Sequence, residues 1–202
     1  MTLDKYIQKR DFKSTAEPAG KIKESGNELI FVVQKHAATN LHYDFRLEME
    51  GLLRSWVIPK GPTLNPGDKR LALMVEDHPY EYKDFEGTIA EGNYGAGNVI
   101  IWDRGTYYAV ETQDYKSSEN ELVEGLKNGH INFILKGEKL KGEFSLIKLK
   151  GKLKNAWLII KKNDNYATEN DILKENKSVV SSRTLESFDK KTTTSEDSGE
   201  SN

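Results

Sequence analysis

The sequence predicts an all-β protein, a compact closed or partly closed β-barrel with one or two short helices. Between residues 28 and 162, short segments rich in Val, Ile, Phe, Tyr and Trp are separated by Gly, Pro or Asn. These segments do not alternate with long helices, which argues against a doubly wound parallel sheet. A stretch of about 160 residues is also long enough to bury a substantial core.

The predicted elements follow one another in order along the chain. The strands are expected at 28–34, 41–50, 52–58, 70–77, 98–102, 106–112, 130–135, 141–150 and 156–161. One helix interrupts them, because Ser118 and Glu121 have the spacing of a capping box and Gly129 follows the last apolar residue. We predict a helix between Ser118 and Gly129.

Composition excludes several classes of protein. The 202 residues include 30 Lys and Arg, 32 Asp and Glu and no Cys, which excludes disulfides, thiolate metal sites and cysteine nucleophiles. The first residues lack the layout of a signal peptide, and no apolar run approaches the ~20 residues that span a bilayer. We therefore expect a soluble, cytoplasmic protein with no membrane partner.

The acidic residues are concentrated at the C-terminus. Residues 163–202 are rich in Ser, Thr and Asn and contain 5 basic and 9 acidic side chains. Such a composition buries too little apolar surface to offset the entropy of ordering, so we predict a disordered acidic tail there. The remaining chain is close to neutral, and an anionic partner would have to bind at local basic clusters.

Residues 41–50 alternate strictly between apolar and ionisable side chains. On a strand, this alternation gives a core face made of Leu41, Tyr43, Phe45, Leu47 and Met49. The opposite face carries His42, Asp44 and Arg46, and His36 lies across a short turn from it. Two imidazoles and a carboxylate suit Mn, Fe or Zn. The alternative is an exposed polar face, which any half-buried strand presents.

A second ionisable cluster lies in residues 70–79. Here we expect a core face formed by Leu71, Leu73 and Val75, and an opposite face formed by Arg70, Glu76 and His78. A divalent metal beside Arg46 and Arg70 would bind a phosphate, and His78 could donate a proton to a leaving oxygen. Glu76 could orient an imidazole. These residues predict phosphoryl-ester hydrolysis.

Several ordered motifs resemble those of the 3′-phosphoesterase domain of bacterial DNA ligase D. They are FVVQKH at 31–36, LHYDFRLE at 41–48, PKGP at 59–62, VEDHP at 75–79 and EGNYGAG at 91–97. The resemblance extends over roughly residues 5–162, where 28–162 would form the barrel. Since no ligase or polymerase segment follows, the sequence resembles a stand-alone member.

The resemblance implies a manganese-dependent enzyme, with other divalent transition metals compatible. It would remove a 3′-terminal ribonucleotide from DNA and then the 3′-phosphate, leaving a 3′-OH for repair or end joining. The implied metal ligands are His36, His42 and Asp44. The implied catalytic and phosphate-contacting residues are Arg46 and His78, supported by Arg70, Glu76 and Tyr82. Gln34 and Lys60 match further substrate-binding positions, although a solvated Lys60 is the ordinary alternative.

The first 27 residues also resemble the family, with KRDF at 9–12 and EP at 17–18. The resemblance implies that this segment contributes to the active site, with Arg10, Asp11 and Glu17 tied to the ribonuclease step. The implied partners are the 3′ end of a DNA primer–template or duplex and separate ligase, polymerase or Ku-type proteins.

Two other classes of function remain open from the sequence. A non-catalytic β-barrel could bind nucleic-acid ends through basic and aromatic residues, but it would not require clustered His, Asp and Arg. A cupin-like metalloenzyme could use His36, His42, Asp44 and Glu48 on a small molecule. Release of phosphate from a 3′-phosphate DNA strand would distinguish a 3′-phosphoesterase from both of these classes.

Overall fold

The structure is a computed structural model that describes residues 3–20, 27–112 and 114–188. Within these ranges the strands are β1 (Leu29–Ala37), β2 (Leu41–Met49), β3 (Leu52–Ile58), β4 (Lys69–Met74), β5 (His78–Pro79), β6 (Gly87–Ile89), β7 (Gly97–Ala109), β8 (His130–Gly137), β9 (Lys141–Lys148) and β10 (Ala156–Lys161). Two α-helices accompany them there, α1 (Asp4–Gln8) and α2 (Tyr115–Asn128). No helix in the described ranges has the length and apolar character needed to cross a membrane.

Eight of the strands close into an antiparallel barrel. Hydrogen-bonded neighbours follow the order β1-β2-β3-β4-β10-β9-β8-β7, and β7 also pairs with β1, which completes the ring. The two short strands lie outside this ring, β5 against β3 and β6 against β7. The predicted closed all-β barrel is confirmed.

The segment around Gly105, predicted as a break between two strands, lies in the middle of β7. A Cβ atom on this residue would lie 2.1 Å from the carbonyl oxygen of Lys136 on the neighbouring strand. Gly105 is therefore required for close approach of β8, and it does not form a turn.

The barrel interior contains the main hydrophobic core, which includes the buried indoles of Trp56, Trp102 and Trp157. The core face predicted for β2 is confirmed from Tyr43 to Met49, where the apolar residues are at most 4% exposed. Leu41 is 51% exposed because it begins the strand, beyond the packed interior.

A second apolar layer covers the outer face of the barrel where β1 and β2 meet. It includes Tyr6 of α1 and Tyr82 of a 3-10 helix (Tyr80–Asp84), packed with Leu53 and Val99. As a result, the ionisable side chains on this outer face are largely buried, with Arg46 only 2% exposed. The alternative of a solvated polar strand face therefore does not hold here.

The face prediction for β4 is wrong. Ala72 is fully buried in the core, whereas Leu71 is 40% exposed. Ala72 lies opposite Trp157, whose ring packs against Trp56 at a centroid distance of 5.9 Å. The small side chain fits beside these two indoles, so the leucine points outward although it is the more apolar residue.

The predicted helix is present as α2, but it begins earlier than the capping box suggested. The carboxylate of Asp114 accepts a hydrogen bond from the Ser117 backbone N–H and caps the helix. Ser118 lies inside the helix, where its hydroxyl accepts a hydrogen bond from the backbone N–H of Ala109. Gly129 ends the helix with a φ of 78°, as expected for a C-terminal glycine.

Residues 163–188 pack against the barrel. Leu173 and Ile172 of a 3-10 helix (Ile172–Lys174) contact the core, and Leu185 is 6% exposed. The carbonyl oxygen of Glu175 accepts a hydrogen bond from the Trp102 indole N–H. The structure differs here from the predicted disordered tail, because a few well-spaced apolar residues hold a polar segment. Residues 189–202 lie outside the described residues.

Candidate metal and phosphate site

A cavity of about 320 Å³ lies on the outer face of β1 and β2, beneath the second apolar layer. The ionisable and aromatic residues that line it are Arg10, His36, His42, Asp44, Arg46, Glu76, His78, Tyr82 and Tyr94. Strands β1, β2 and β5 supply its floor, and the N-terminal segment and the 91–97 loop supply its walls. Residues distant in sequence therefore meet at one place.

Three of these side chains form a candidate set of metal ligands. The β1–β2 hairpin places His36 directly opposite His42, and Asp44 lies two residues further along β2. Asp44 carboxylate oxygens lie 3.5 Å from Nδ1 of His36 and 3.8 Å from Nε2 of His42. One ligand atom from each residue lies within 4.8 Å of the others. Nitrogen and carboxylate donors in this arrangement fit a divalent transition metal.

Backbone carbonyls fix the orientation of both imidazoles. Nε2 of His36 lies 2.9 Å from the carbonyl oxygen of Gly95, and Nδ1 of His42 lies 2.8 Å from that of Asn40. A carbonyl accepts but does not donate, so each of these nitrogens must carry the proton. The other nitrogen of each ring, Nδ1 of His36 and Nε2 of His42, faces Asp44, where it is placed to bind a metal ion.

Asp44 is ionised although it is buried. Burial raises the pKa of this carboxyl, but the Arg46 guanidinium and the imidazoles of His36 and His42 hold the pKa well below its usual range. Nη2 of Arg46 lies 3.3 Å from an Asp44 oxygen. The site therefore keeps a negative charge available to a cation across ordinary pH.

Arg46 is held rigidly on the floor of the cavity. Its Nε donates to the Gln34 side-chain oxygen and its Nη1 donates to the Ser55 hydroxyl, both at 2.8 Å. The Gln34 amide nitrogen in turn donates to the carbonyl oxygens of Tyr82 and Phe85. This chain of hydrogen bonds fixes the amide of Gln34, which then fixes the guanidinium.

Arg10 brings a second guanidinium into the cavity from the residues after α1. Its Nε donates to the buried Glu17 carboxylate at 2.8 Å, and Nη1 lies 3.6 Å from Glu76. The guanidinium carbon also lies 3.9 Å from the centroid of the Tyr6 ring. Tyr82 donates its hydroxyl hydrogen to Glu17 at 2.8 Å, so one carboxylate holds two cavity residues.

His78 lies between the two guanidinium groups and is 4% exposed. Its Nδ1 lies 3.0 Å from the Glu76 carbonyl oxygen, and Nε2 accepts from Nη2 of Arg10 at 3.3 Å. Burial, followed by the charges of Arg46 and Arg10, lowers the pKa of His78 well below its usual 6.5. The imidazole is therefore neutral near pH 7, and the lone pair on its Nε2 is directed at the Arg10 guanidinium.

Three predicted site residues lie away from the cavity lining. Arg70 donates to Asp68 at 2.9 Å, exposed Lys60 follows β3, and exposed Asp11 accepts from the Lys13 backbone N–H. Gln34 and Glu17 lie behind the lining and act through Arg46, Arg10 and Tyr82. The structure thus brings the other predicted residues together, and their roles in catalysis stay predictions.

The sequence interpretation missed several residues of this site. Lys9 donates to Glu76 at 3.0 Å, and the Ser55 hydroxyl accepts from Arg46 at 2.8 Å behind the cavity lining. Tyr94 lines the rim. Lys9 and Tyr94 lie in the KRDF and EGNYGAG motifs, but the residue pattern of these motifs does not by itself indicate their roles. Gly95 contributes through its carbonyl oxygen, which no side-chain pattern can reveal.

The fold and the cavity together define a β-barrel in which a candidate metal-ligand set lies beside the Arg10 and Arg46 guanidiniums. The family model for the DNA Ligase D 3′-phosphoesterase domain matches residues 34–148, more than half of the chain. The chain belongs to this family.

Relatives in three organisms agree with this assignment. The chain is 49% identical over 191 residues to the multifunctional non-homologous end joining protein LigD of Pseudomonas aeruginosa, covering 91% of this chain and 22% of that protein. It is 43% identical over 151 residues to the LigD protein of Mycolicibacterium smegmatis, covering 74% of this chain and 19% of that protein. It is 40% identical over 157 residues to the LigD protein of Mycobacterium tuberculosis, covering 77% of this chain and 19% of that protein. The chain thus spans about a fifth of the length of these relatives.

Proposed function

We propose that this protein is a metal-dependent phosphoesterase that processes the 3′ ends of DNA. It would remove a 3′-terminal ribonucleotide by releasing its nucleoside, which leaves the phosphate on the strand as a 3′-phosphate. It would then hydrolyse that 3′-phosphate, leaving a 3′-OH for repair by end joining. One observation carries the proposal: the ligand set of His36, His42 and Asp44 shares a single cavity with the Arg46 and Arg10 guanidiniums. A phosphate ester needs both a metal and fixed positive charge around its oxygens.

The proposed cofactor is Mn²⁺, held by His36, His42 and Asp44. The donor set supports this choice, since mixed nitrogen and oxygen ligands, with one imidazole nitrogen of each ring facing the carboxylate, suit such an ion. When bound, it would supply Lewis acidity to the phosphoryl group and activate water. Three protein ligands leave coordination positions for both.

The protein's own residues would bind the phosphate and move a proton. Arg46 and Arg10 offer planar donor pairs that match phosphate oxygens, and both are held in place before substrate arrives. Their charges help to lower the pKa of His78 in the free protein. A bound phosphate would offset these charges, so the pKa of His78 would rise and allow it to protonate the leaving 3′ oxygen.

A labelled primer–template that ends in a 3′-phosphate tests the proposal. We expect conversion to a 3′-OH with manganese, no conversion with chelator, and loss of conversion in His42→Ala. His130→Ala is the matched control, because His130 is exposed at the start of β8 and does not line the cavity. Binding of the duplex without conversion by the wild type would refute catalysis and favour an end-binding module.

A ribonucleotide-ended strand extends the test to the first reaction. We expect the 3′-ribonucleotide to be lost first and the 3′-phosphate strand to accumulate before the 3′-OH product. Partners such as separate ligase, polymerase or Ku-type proteins belong to the same proposal, and co-sedimentation with each purified protein would test them.

A further inference from the structure

Tyr94 presents an aromatic ring at the rim of the cavity. It is 52% exposed, although it lines the same cavity as the three metal-ligand residues. Tyr166 is equally exposed at 53%, but it lies in the C-terminal segment, outside that lining. Tyr94 differs from Tyr166 because its exposed ring lies beside the guanidinium groups of the cavity, with the Arg10 guanidinium carbon 5.8 Å from the ring centroid.

The loop that carries Tyr94 is fixed on both sides of the ring. On one side, the Asn93 side chain accepts from the Ser14 hydroxyl at 2.8 Å. On the other, the Gly95 carbonyl oxygen lies 2.9 Å from Nε2 of His36. Gly92 and Gly95 adopt φ values of 86° and 77°, which glycine tolerates without strain. The ring is therefore held at a fixed position relative to a metal ligand.

Lys9 further holds the ring from one face. Its Nζ lies 4.4 Å from the ring centroid and donates to the Tyr94 hydroxyl at 3.3 Å. The same ammonium pairs with Glu76 at 3.0 Å, on the cavity lining. Tyr94 is thus oriented in advance, while about half of its surface stays available to a ligand.

We propose that Tyr94 is the stacking surface for the base of the terminal nucleotide whose 3′-phosphate occupies the cavity. This inference rests on the proposed function and adds how the nucleoside is held. A ring accepts any base, because every base has a π-face, so the proposal predicts binding with little base preference. The guanidiniums would bind the phosphate, and the ring would bind the base.

Two 3′-phosphate duplexes, one with a normal terminal base and one with an abasic terminal nucleotide, test the role of the ring. We expect wild type to favour the base-bearing end about tenfold in kcat/KM. This preference should fall towards one in Tyr94→Ala and in Tyr94→Leu, and persist in Tyr94→Phe. Tyr166→Ala should behave as wild type. An unchanged preference in Tyr94→Ala, or equal loss in Tyr94→Phe, would overturn the inference.

A second measurement does not depend on turnover. A duplex with 2-aminopurine as its 3′-terminal base, bound in the presence of chelator, should lose fluorescence on stacking with wild type and with Tyr94→Phe. Tyr94→Ala should bind without that loss, and quenching equal to wild type would overturn the inference. If the wild type quenches but never hydrolyses, the proposed reaction fails while base stacking stands.

Discussion

Removal of residues 163–188 should destabilise the barrel, although the composition of this segment is that of a disordered tail. The perturbation is a chain that ends at Lys162, and its matched control ends at Phe188. The first deletion removes Leu185, which is 6% exposed, and the Ile172–Lys174 helix that packs on the core. It also exposes the Trp102 indole, which loses its acceptor at Glu175.

The size of the effect follows from these contacts. Burial of a leucine such as Leu185 contributes about 2 kcal/mol, and the half-buried Ile172 and Leu173 together contribute about as much again. The hydrogen bond of Trp102 adds about 1 kcal/mol. Residual compactness of the unfolded chain reduces such totals, so we expect a loss of about 4 kcal/mol. For a domain of this length, that corresponds to a decrease in Tm of roughly 10 °C.

Thermal unfolding of the two truncated chains and the full chain measures this loss. We expect the chain that ends at Phe188 to melt with the full chain, and the chain that ends at Lys162 to melt far lower or not fold. Leu185→Ala should cost about 2 kcal/mol, whereas Val180→Ala, at a position 47% exposed, should cost almost nothing. Equal Tm values for all chains, or no effect of Leu185→Ala, would refute the reasoning.

The remaining predictions concern the cavity. Because burial and nearby guanidiniums lower the pKa of His78 below 6.5, the unfolded state takes up one more proton as pH falls below 6.5. This proton should lower the free energy of unfolding by about 1.4 kcal/mol for each pH unit of acidification. In urea titrations with chelator, His78→Gln should remove this contribution and flatten the dependence of stability on pH. The same pH dependence in wild type and in His78→Gln would contradict the prediction. Arg46→Lys keeps the positive charge but loses the pair of hydrogen bonds that the guanidinium donates to Gln34 and Ser55. Phosphate release should therefore fall about 100-fold. The matched control Arg104→Lys changes an exposed residue and should behave as wild type. Glu17→Gln should slow ribonucleotide removal about tenfold, because the neutral amide holds Arg10 weakly. Phosphate removal should slow less, because the family resemblance ties Arg10 and Glu17 to the ribonuclease step and Arg46 still binds the phosphate. Equal slowing of both steps would argue against this difference.

The parts of the site that the sequence could predict depend on local geometry. Alternation along β2 placed His42, Asp44 and Arg46 on one face, and a short hairpin brought His36 opposite His42. Both follow from the two-residue period of a strand, which operates over a few residues and needs no knowledge of the rest of the fold.

The parts that could not be predicted depend on long-range packing. Helix α1 has only five residues, too few for a periodic signal, yet it supplies Tyr6 beneath Arg10. The inverted face of β4 depends on Trp157, a residue far along the chain that crowds the interior beside Ala72. In both cases the conformation depends on a contact with a residue from another part of the fold. The sequence of the segment alone does not predict that contact.

The pairing of β7 with β1 contains one extra residue, and this limits which length changes the chain can tolerate. Val33 lies opposite Asp103 and Gln34 lies opposite Ile101, so Trp102 has no partner on β1. Deleting one residue between Gly95 and Ile101 would shift the Gly95 carbonyl relative to His36, about 3.3 Å along the strand. An insertion or deletion in this stretch would therefore disturb the orientation of His36, because the Gly95 carbonyl that holds this imidazole would move. The ligand residues themselves would be unchanged. Designs that graft this site onto another barrel need to copy the spacing from Gly95 to Asp103 together with the side chains.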